Sequence, residues 1–296
     1  MLREKNNMKK NKIGIIGGSG VYDLAQLTDK KWQRINTNFG EPSDELLFGK
    51  IGEYELVFLP RHGRGHKNSP TSINFRANIE ALKIAGVSEI ISVSAVGSLS
   101  EKLAPGAFVI VDQFIDRTFA REKSFFGKGC VAHVSMAKPT CSRLSTHILI
   151  AGKNAGINII NGGTYLAMEG PQFSSVAESK LYQSWGCDVI GMTNMPEAKL
   201  AREAEICYVS VAMVTDYDCW HPDHEAVSVE QVIKILLSNA ETARKLVSSA
   251  ISLIGDDSSS SKCPCKSALD YAIITAAEAR DPELTKKLVN IAGRVL

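Results

Sequence analysis

The chain has 296 residues, enough to bury one large core or two small ones. Hydrophobic residues make up 44% and charged residues 22%, as in an ordinary globular protein. A net charge of +2 argues against a nucleic-acid partner or a polybasic membrane surface, and with no run of 18 apolar residues a membrane-spanning helix is not expected.

Met1 to Lys12 is basic and polar and lacks the apolar stretch of a signal peptide. Residues 1–11 are therefore expected to be a disordered extension of a cytoplasmic protein. Lys12 to Ile16 reads as a buried strand, broken by Gly17-Gly18-Ser19-Gly20. Glycines there let backbone N–H groups approach an anion, and Ser19 adds a hydroxyl. The spacing is not GxGxxG and no Walker lysine follows, so the loop does not carry a nucleotide-cofactor reading.

Tyr54 to Leu59 is a second strand, ending at Pro60. Arg61-His62-Gly63-Arg64-Gly65-His66 follows, two arginines and two histidines on a glycine-broken loop, a combination suited to an oxyanion such as phosphate. Ser72 to Ala85 has helical period. Strands follow over Glu89 to Val93, which runs into Ser94 and Ala95, and over Phe108 to Val111. A helix is expected over 143–155, a strand over Gly163 to Met168 and a helix over Glu178 to Trp185. Glu169 and Phe173, after the strand, could accept from sugar hydroxyls and stack on a ring.

Asp188 to Gly191 is a short strand leading to Met192 and Thr193, and Glu197 to Glu205 a helix. Cys207 to Val214 is then a strongly apolar strand that ends in Asp216-Tyr217-Asp218-Cys219-Trp220. In an open α/β sheet the C-terminal end of a strand is where ligands bind. Two carboxylates there can read a flat polar ring, and one can donate a proton. His221-Pro222-Asp223-His224-Glu225 has the composition of a metal cluster but reads as an exposed loop before a helix over Ser228 to Ile254. Gly255 to Ser261 is a low-complexity linker, and Ala268 to Glu278 and Pro282 to Ala292 are expected to be helical. The alternation of strands and helices predicts an α/β fold: one domain over residues 12–255, a mixed, mostly buried central sheet flanked by helices, and 256–296 packed on the same domain.

Seven cysteines are present. Cys130, Cys141, Cys187, Cys207 and Cys219 are scattered and read as small core residues. Cys263-Pro264-Cys265 is open to two readings, a reduced loop or a strained short-ring disulfide. No CxxC…CxxC or Cys/His metal spacing appears, and no metal or cofactor is expected.

The motifs KIGIIGGSG, PRHGRGH, SVSAVGSL, VDQFIDRT, MEGPQFSS, MTNMPEAKLAREAEICY and TDYDCW…EAVSV occur in this order across residues 12–255. With them the chain resembles the methylthioadenosine phosphorylases of the trimeric purine nucleoside phosphorylase family. The resemblance implies a nucleoside phosphorylase-like domain in a homotrimer, with a hexamer as the alternative. It implies phosphorolysis of S-methyl-5'-thioadenosine to adenine and 5-methylthioribose 1-phosphate, with phosphate as co-substrate. Phosphate contacts would fall on Ser19, Arg61, His62, Ser94, Ala95 and Thr193, and the ribose contact on Met192. The base would meet Asp216, Asp218 and Phe173, with Ser174 nearby. Val229 and Val232 would face the 5' substituent, and His133 would reach a neighbouring subunit's site. The paired cysteines of the tail resemble those of some thermophile relatives, where they are disulfide-bonded.

The expected chemistry is cleavage through an oxocarbenium-like ribosyl cation, captured by phosphate, with Asp216 protonating adenine N7 and Asp218 accepting the N6 amino group. Two aspartates favour a 6-amino over a 6-oxo purine. The nearest alternative is a phosphorylase acting on adenosine, inosine or methylthioinosine. More distant ones are a dinucleotide-binding protein, which lacks the glycine spacing, and a noncatalytic nucleoside binder.

Overall fold

The structure is a computed structural model that describes residues 12–18, 20–21, 23–222 and 229–296, without the side chains of 229–234 and 236. The extension 1–11, Ser19 and Asp223 to Ser228 lie outside the described residues.

Among the described residues, the fold is organised around one mixed sheet of eleven strands. Strands β1 (Lys12–Gly17), β2 (Thr28–Gln33), β3 (Leu46–Ile51) and β4 (Tyr54–Pro60) come first, then helix α1 (Phe75–Ile84) and the long strand β5 (Val87–Ser98). Next are β6 (Phe108–Val111), β7 (Gln113–Asp116), α2 (Ser142–Asn154), β8 (Ile159–Asn161) and β9 (Thr164–Ala167). The site-bearing part follows: α3 (Val176–Ser184), β10 (Val189–Gly191), α4 (Asn194–Glu203), β11 (Cys207–Asp216) and α5 (Val229–Gly255). The tail adds α6 (Pro282–Lys287) and α7 (Val289–Ala292).

Strand β5 is the branch point. Its first half pairs in parallel with β1, from Lys12 opposite Val87 to Ile16 opposite Ser92. On its other side it runs parallel to β11, from Cys207 opposite Glu89 to Asp216 opposite Gly97. Beyond the end of β1, Gly97 and Ser98 pair antiparallel with Ile190 and Val189 of β10. The C-terminal ends of β1, β4 and β11 thus open beside the second half of β5, and β10 delivers residues 192–193 back toward Ser94.

Apolar side chains fill both faces. One core packs Ile79 and Leu82 of α1 with Ala198 and Leu200 of α4 and Leu288 and Ile291 of the tail. The other packs Leu144 and Ile148 of α2 with Leu246, Val247 and Ile251 of α5. Strand β11 is buried from Cys207 through Thr215 because both faces are covered. Each fully buried Val, Leu or Ile is worth about 1.5–3 kcal/mol.

Several sequence expectations are corrected. Strands β2, β3, β7 and β8 carry weak signals. Strand β2, sequence TDKKWQ, pairs among the described residues only with β3 and stays largely exposed, so it needs no apolar pattern. Residues 268–278 do not form the expected helix and are mostly turns, with a short 3-10 helix over Ala277–Ala279 at the end. Their backbone bonds go sideways: Ile274 N–H donates to Val131 C=O at 2.9 Å and His133 N–H to Ala272 C=O at 2.9 Å. The expected helix over Pro282 to Ala292 divides at Leu288. Leu269, Leu288 and Ile291 of the tail lie in the first of these cores.

The close approach of β10 to β9 sets a local limit. A Cβ on Gly191 would collide with Tyr165 Oη and lie 2.7 Å from Cζ of the same ring. Gly191→Ala should therefore destabilise the fold by about 1–3 kcal/mol, the usual cost of overpacking a core. Urea unfolding checks this, and an unchanged midpoint would mean that the Tyr165 ring moves aside freely.

Candidate active site

The strand ends converge on a buried polar network. Arg61, the residue after β4, donates from Nε to Glu197 Oε2 at 2.8 Å and from Nη2 to Glu197 Oε1 at 3.2 Å. Its Nη1 donates to Val93 C=O at 2.9 Å, and Nη2 also donates to Ser92 Oγ at 2.7 Å. Glu197 Oε1 further accepts from Ser92 Oγ at 2.6 Å and Tyr208 Oη at 2.8 Å. Burial opposes the Arg61 charge, and Glu197 more than offsets it, so the guanidinium's pKa is raised. Arg61 thus stands at the expected strand end, but it is no open anion receptor. Four of its five side-chain N–H hydrogens are committed within the protein, which leaves one on Nη1.

Asn194 extends the network. Its Nδ2 donates to Tyr208 Oη at 2.9 Å and Ser210 Oγ at 2.7 Å. Its Oδ1 accepts from Ser94 Oγ at 2.9 Å. Thr193 is buried at the start of α4, and its hydroxyl makes no capping bond to that helix. Tyr165 Oη, buried and influenced by both Ser94 and Thr193, has no hydrogen-bond partner among the described residues. An unsatisfied buried hydroxyl costs about 1–3 kcal/mol, so a polar occupant is favoured there.

His62 Nδ1 lies 2.8 Å from Asn68 C=O. A carbonyl only accepts, so Nδ1 carries the proton and Nε2 the lone pair. Burial pushes the pKa of His62 down to about 4, and the imidazole is neutral at physiological pH. Ala95 is half-buried on β5.

On the far side of the site two loops are clamped by Arg121, a residue the sequence reading missed. Its side chain is 1% exposed. Nε donates to Glu169 Oε1 at 2.9 Å, and Nη1 to Met192 C=O at 2.5 Å and Met195 C=O at 2.8 Å. Nη2 donates to Glu169 C=O at 2.7 Å. Glu169 also accepts from Thr71 Oγ1, from the Phe119 amide at 2.6 Å and from the Ala120 amide at 3.1 Å. Burial alone would raise the pKa of Glu169; these donors outweigh it and bring it down to about 2. The expectation that Glu169 accepts from sugar hydroxyls is corrected, because its oxygens are already filled. The clamp positions Met192, against which Gly170 packs so closely that a Cβ would lie 2.5 Å from Met192 Sδ.

The aspartate pair closes the site. Asp216 Oδ2 accepts from Thr215 Oγ1 at 2.6 Å, and Oδ1 accepts from the Asp218 amide at 2.8 Å. Asp218 has φ of 51°, a left-handed conformation that aspartate tolerates. Burial raises the pKa of both carboxyls. Gly97 of β5 is small for a reason: a Cβ there would lie 2.9 Å from Asp216 Oδ1. Trp220 Nε1 donates to Ser98 C=O at 2.8 Å, and Cys219 Sγ donates to Ser174 C=O at 3.2 Å. The 217–220 turn is thereby tied to β5 and to the loop bearing Ser174 and the half-exposed Phe173.

Strand register therefore brings Arg61, Ser94, Thr193, Asp216 and Asp218 to one edge of the sheet. His133 is exposed, and its amide donates to Ala272 C=O of the tail. Val229 and Val232 lie in the first turn of α5, with side chains outside the described residues. Ser19 and the Asp223 to Glu225 run also fall outside them.

Residues 12–252 match the phosphorylase superfamily. S-methyl-5'-thioadenosine phosphorylase from Cereibacter sphaeroides is 59% identical over 287 residues, covering 97% of this chain and 99% of the relative. The protein of that name from Rhodospirillum rubrum is 58% identical over 284 residues, covering 96% and 97%. A crystal structure of methylthioadenosine phosphorylase from an antarctic soil metagenomic library has a TM-score of 0.90 at 46% identity, covering 96% of this chain and 99% of that one. A mutant adenosine/methylthioadenosine phosphorylase from Schistosoma mansoni, solved with methylthioadenosine, has a TM-score of 0.83 at 35% identity, covering 92% and 99%. The chain belongs to the phosphorylase superfamily, in the family of the S-methyl-5'-thioadenosine phosphorylases.

Proposed function

We propose that this protein uses phosphate to cleave S-methyl-5'-thioadenosine into adenine and 5-methylthioribose 1-phosphate, a reaction of purine and methionine salvage. The observation that carries the reading is the buried pair Asp216 and Asp218, raised in pKa, on the same sheet edge as Arg61, Ser94 and Thr193. The names of the relatives point the same way.

Phosphate sits among the 17–20 loop, the remaining Arg61 hydrogen, His62, Ser94, the Ala95 backbone, Thr193 and the orphaned Tyr165 hydroxyl. Neutral His62 accepts from the hydroxyl of hydrogen phosphate through Nε2. A phosphate oxygen attacks C1' as the C1'–N9 bond breaks, with the electron pair leaving on adenine. Asp216 gives its proton to N7 and becomes a carboxylate, later reprotonated from solvent. Asp218 accepts from the N6 amino group, Phe173 lies on the base and Met192 meets the ribose. Holding the nucleophile in line supplies about 7–11 kcal/mol of the barrier reduction. No cofactor takes part.

The assembly is read as a homotrimer in the cytoplasm, with His133 reaching a neighbouring site. Exposed apolar side chains at Phe119, Phe173, Val176, Leu181 and Trp185, close in sequence to site loops, support an interface there. Among the described residues no helix is long and apolar enough to cross a membrane. The Schistosoma mansoni relative's name includes adenosine, which makes adenosine the second substrate to assay.

Asp216→Asn should cut turnover of methylthioadenosine by about 10²–10⁴-fold, the range of general acid catalysis. In the parent enzyme turnover should fall as pH rises past the raised pKa of Asp216, and the variant should lose that limb. A near-parent rate in phosphate-dependent adenine release would remove the acid role. The same variant should melt no lower than the parent at pH 8. A carboxyl raised in the fold stabilises it only below its unfolded pKa, and that contribution is lost as pH rises through the folded value.

Thr193→Val should raise the Michaelis constant for phosphate about tenfold, equivalent to one lost hydrogen bond to an anion. The constant for methylthioadenosine should hardly move. Equal changes in both would place Thr193 elsewhere than against phosphate.

A further inference from the structure

Four buried cysteines from three distant segments meet on the face of the sheet that carries α2 and α5. Cys141 is the N-cap of α2, Cys207 opens β11, and Cys263 and Cys265 flank Pro264 in the tail. Their sulfurs all lie within 4.8 Å of one another, and Cys141 Sγ and Cys263 Sγ are 3.6 Å apart. All four are free thiols, and their S–S separations exceed a bonded distance.

We infer that these cysteines form a tetrahedral thiolate site for a structural zinc ion. A zinc–sulfur bond of about 2.3 Å sets a tetrahedral edge of about 3.8 Å. The Cys141–Cys263 separation already matches it, and no pair needs to close by more than about 1 Å. Four thiolates on a divalent cation leave a centre with two negative charges, and two guanidinium groups meet it. Arg202 Nη1 donates to Cys265 Sγ at 3.6 Å. Arg143, two residues after Cys141, interacts with Cys207. Its Nε is buried without a hydrogen-bond partner, and a metal-bound thiolate would supply the missing acceptor. The N-terminal end of the 13-residue helix α2 also favours a thiolate at Cys141.

The ligands offer no open position, because a structural site of this kind is closed by its four thiolates. Its work is to pin the tail to β11 and α2. From Cys265 the tail runs on to Leu269 and Ala272, whose carbonyl holds the His133 amide. The sequence reading found no metal spacing because only the Cys263 and Cys265 pair is local. Sheet topology supplies the other two ligands.

The test is metal analysis of the full-length protein, purified with a thiol reductant and without chelators, by inductively coupled plasma mass spectrometry. About one zinc per chain is expected, the stoichiometry of a single four-cysteine site. Cobalt exchanged into the site should show the intense visible bands and sulfur-to-metal charge transfer of tetrahedral cobalt thiolate. Cys265→Ser should lose the metal and melt lower, whereas Cys187→Ala should keep the metal. If Cys265→Ser does not fold, the cobalt spectrum of the parent decides the case. Metal-free protein with every thiol titratable after unfolding would overturn the proposal. So would a mass deficit from disulfides among these cysteines, or zinc retained in Cys265→Ser.

Discussion

Arg61 and Glu197 lie where β4, β5 and α4 meet, each with 2% of its side chain exposed, so both charges must be satisfied inside the protein. Desolvating the two ions costs several kcal/mol each, and Coulomb attraction offsets that only when the remaining donors and acceptors are filled. Here they nearly are. Ser92 both accepts from Arg61 and donates to Glu197, and Tyr208 donates to Glu197 while accepting from Asn194. Asn194 in turn holds the Ser94 hydroxyl. One network thus fixes the ends of four elements, and losing either ion would leave the other uncompensated at about 3–5 kcal/mol.

The Arg121 and Glu169 clamp repeats the same logic across the site. Both partners are buried and filled, and what they hold is backbone: the carbonyls of Met192, Met195 and Glu169 and the amides of Phe119 and Ala120. Loops must lie at the surface, where their polar groups can meet water, unless side chains take its place. Arg121 takes that place for the loops around residues 168–170 and 192–195. The residues proposed to touch substrate are therefore carried on backbone that is itself over-determined. That is what positioning a nucleophile and an acid within a fraction of an ångström requires.

Much of this was legible in the sequence where burial leaves a pattern. The apolar runs of β1, β4, β5 and β11 and the turns after them were readable because parallel strands covered on both faces must be apolar throughout. The aspartate pair stood out against such a run. Edge strand β2 was not readable, since a strand paired on one side and exposed elsewhere carries no such signature. Residues 268–278 had helical composition, but their backbone found partners at 131–133. The roles of Arg61, Glu169 and Arg121 were hidden for a related reason. A residue type at a strand end announces a charge, and only the fold tells whether the charge faces a ligand or an internal partner. For Glu169 the answer was internal, and for Arg61 it was mostly internal.

That division has a consequence for how the site handles an anion. With Arg61 neutralised by Glu197, and His62 neutral because burial lowers its pKa to about 4, the cradle proposed for phosphate holds little net positive charge. In the proposed reading, attraction comes from short-range donors: the hydroxyls of Thr193 and Tyr165 and the one remaining guanidinium hydrogen, since the Ser94 hydroxyl already donates to Asn194. Such donors act only at hydrogen-bond distance and in fixed directions, so they select the geometry of a tetrahedral oxyanion over mere charge. No cation among the described residues is a leading influence on Asp216 or Asp218, and burial raises both. A free arginine beside them would lower both and take away the proposed acid. In the proposed reading, locking Arg61 to Glu197 leaves recognition of phosphate to directional donors, and burial keeps the proton on the aspartate.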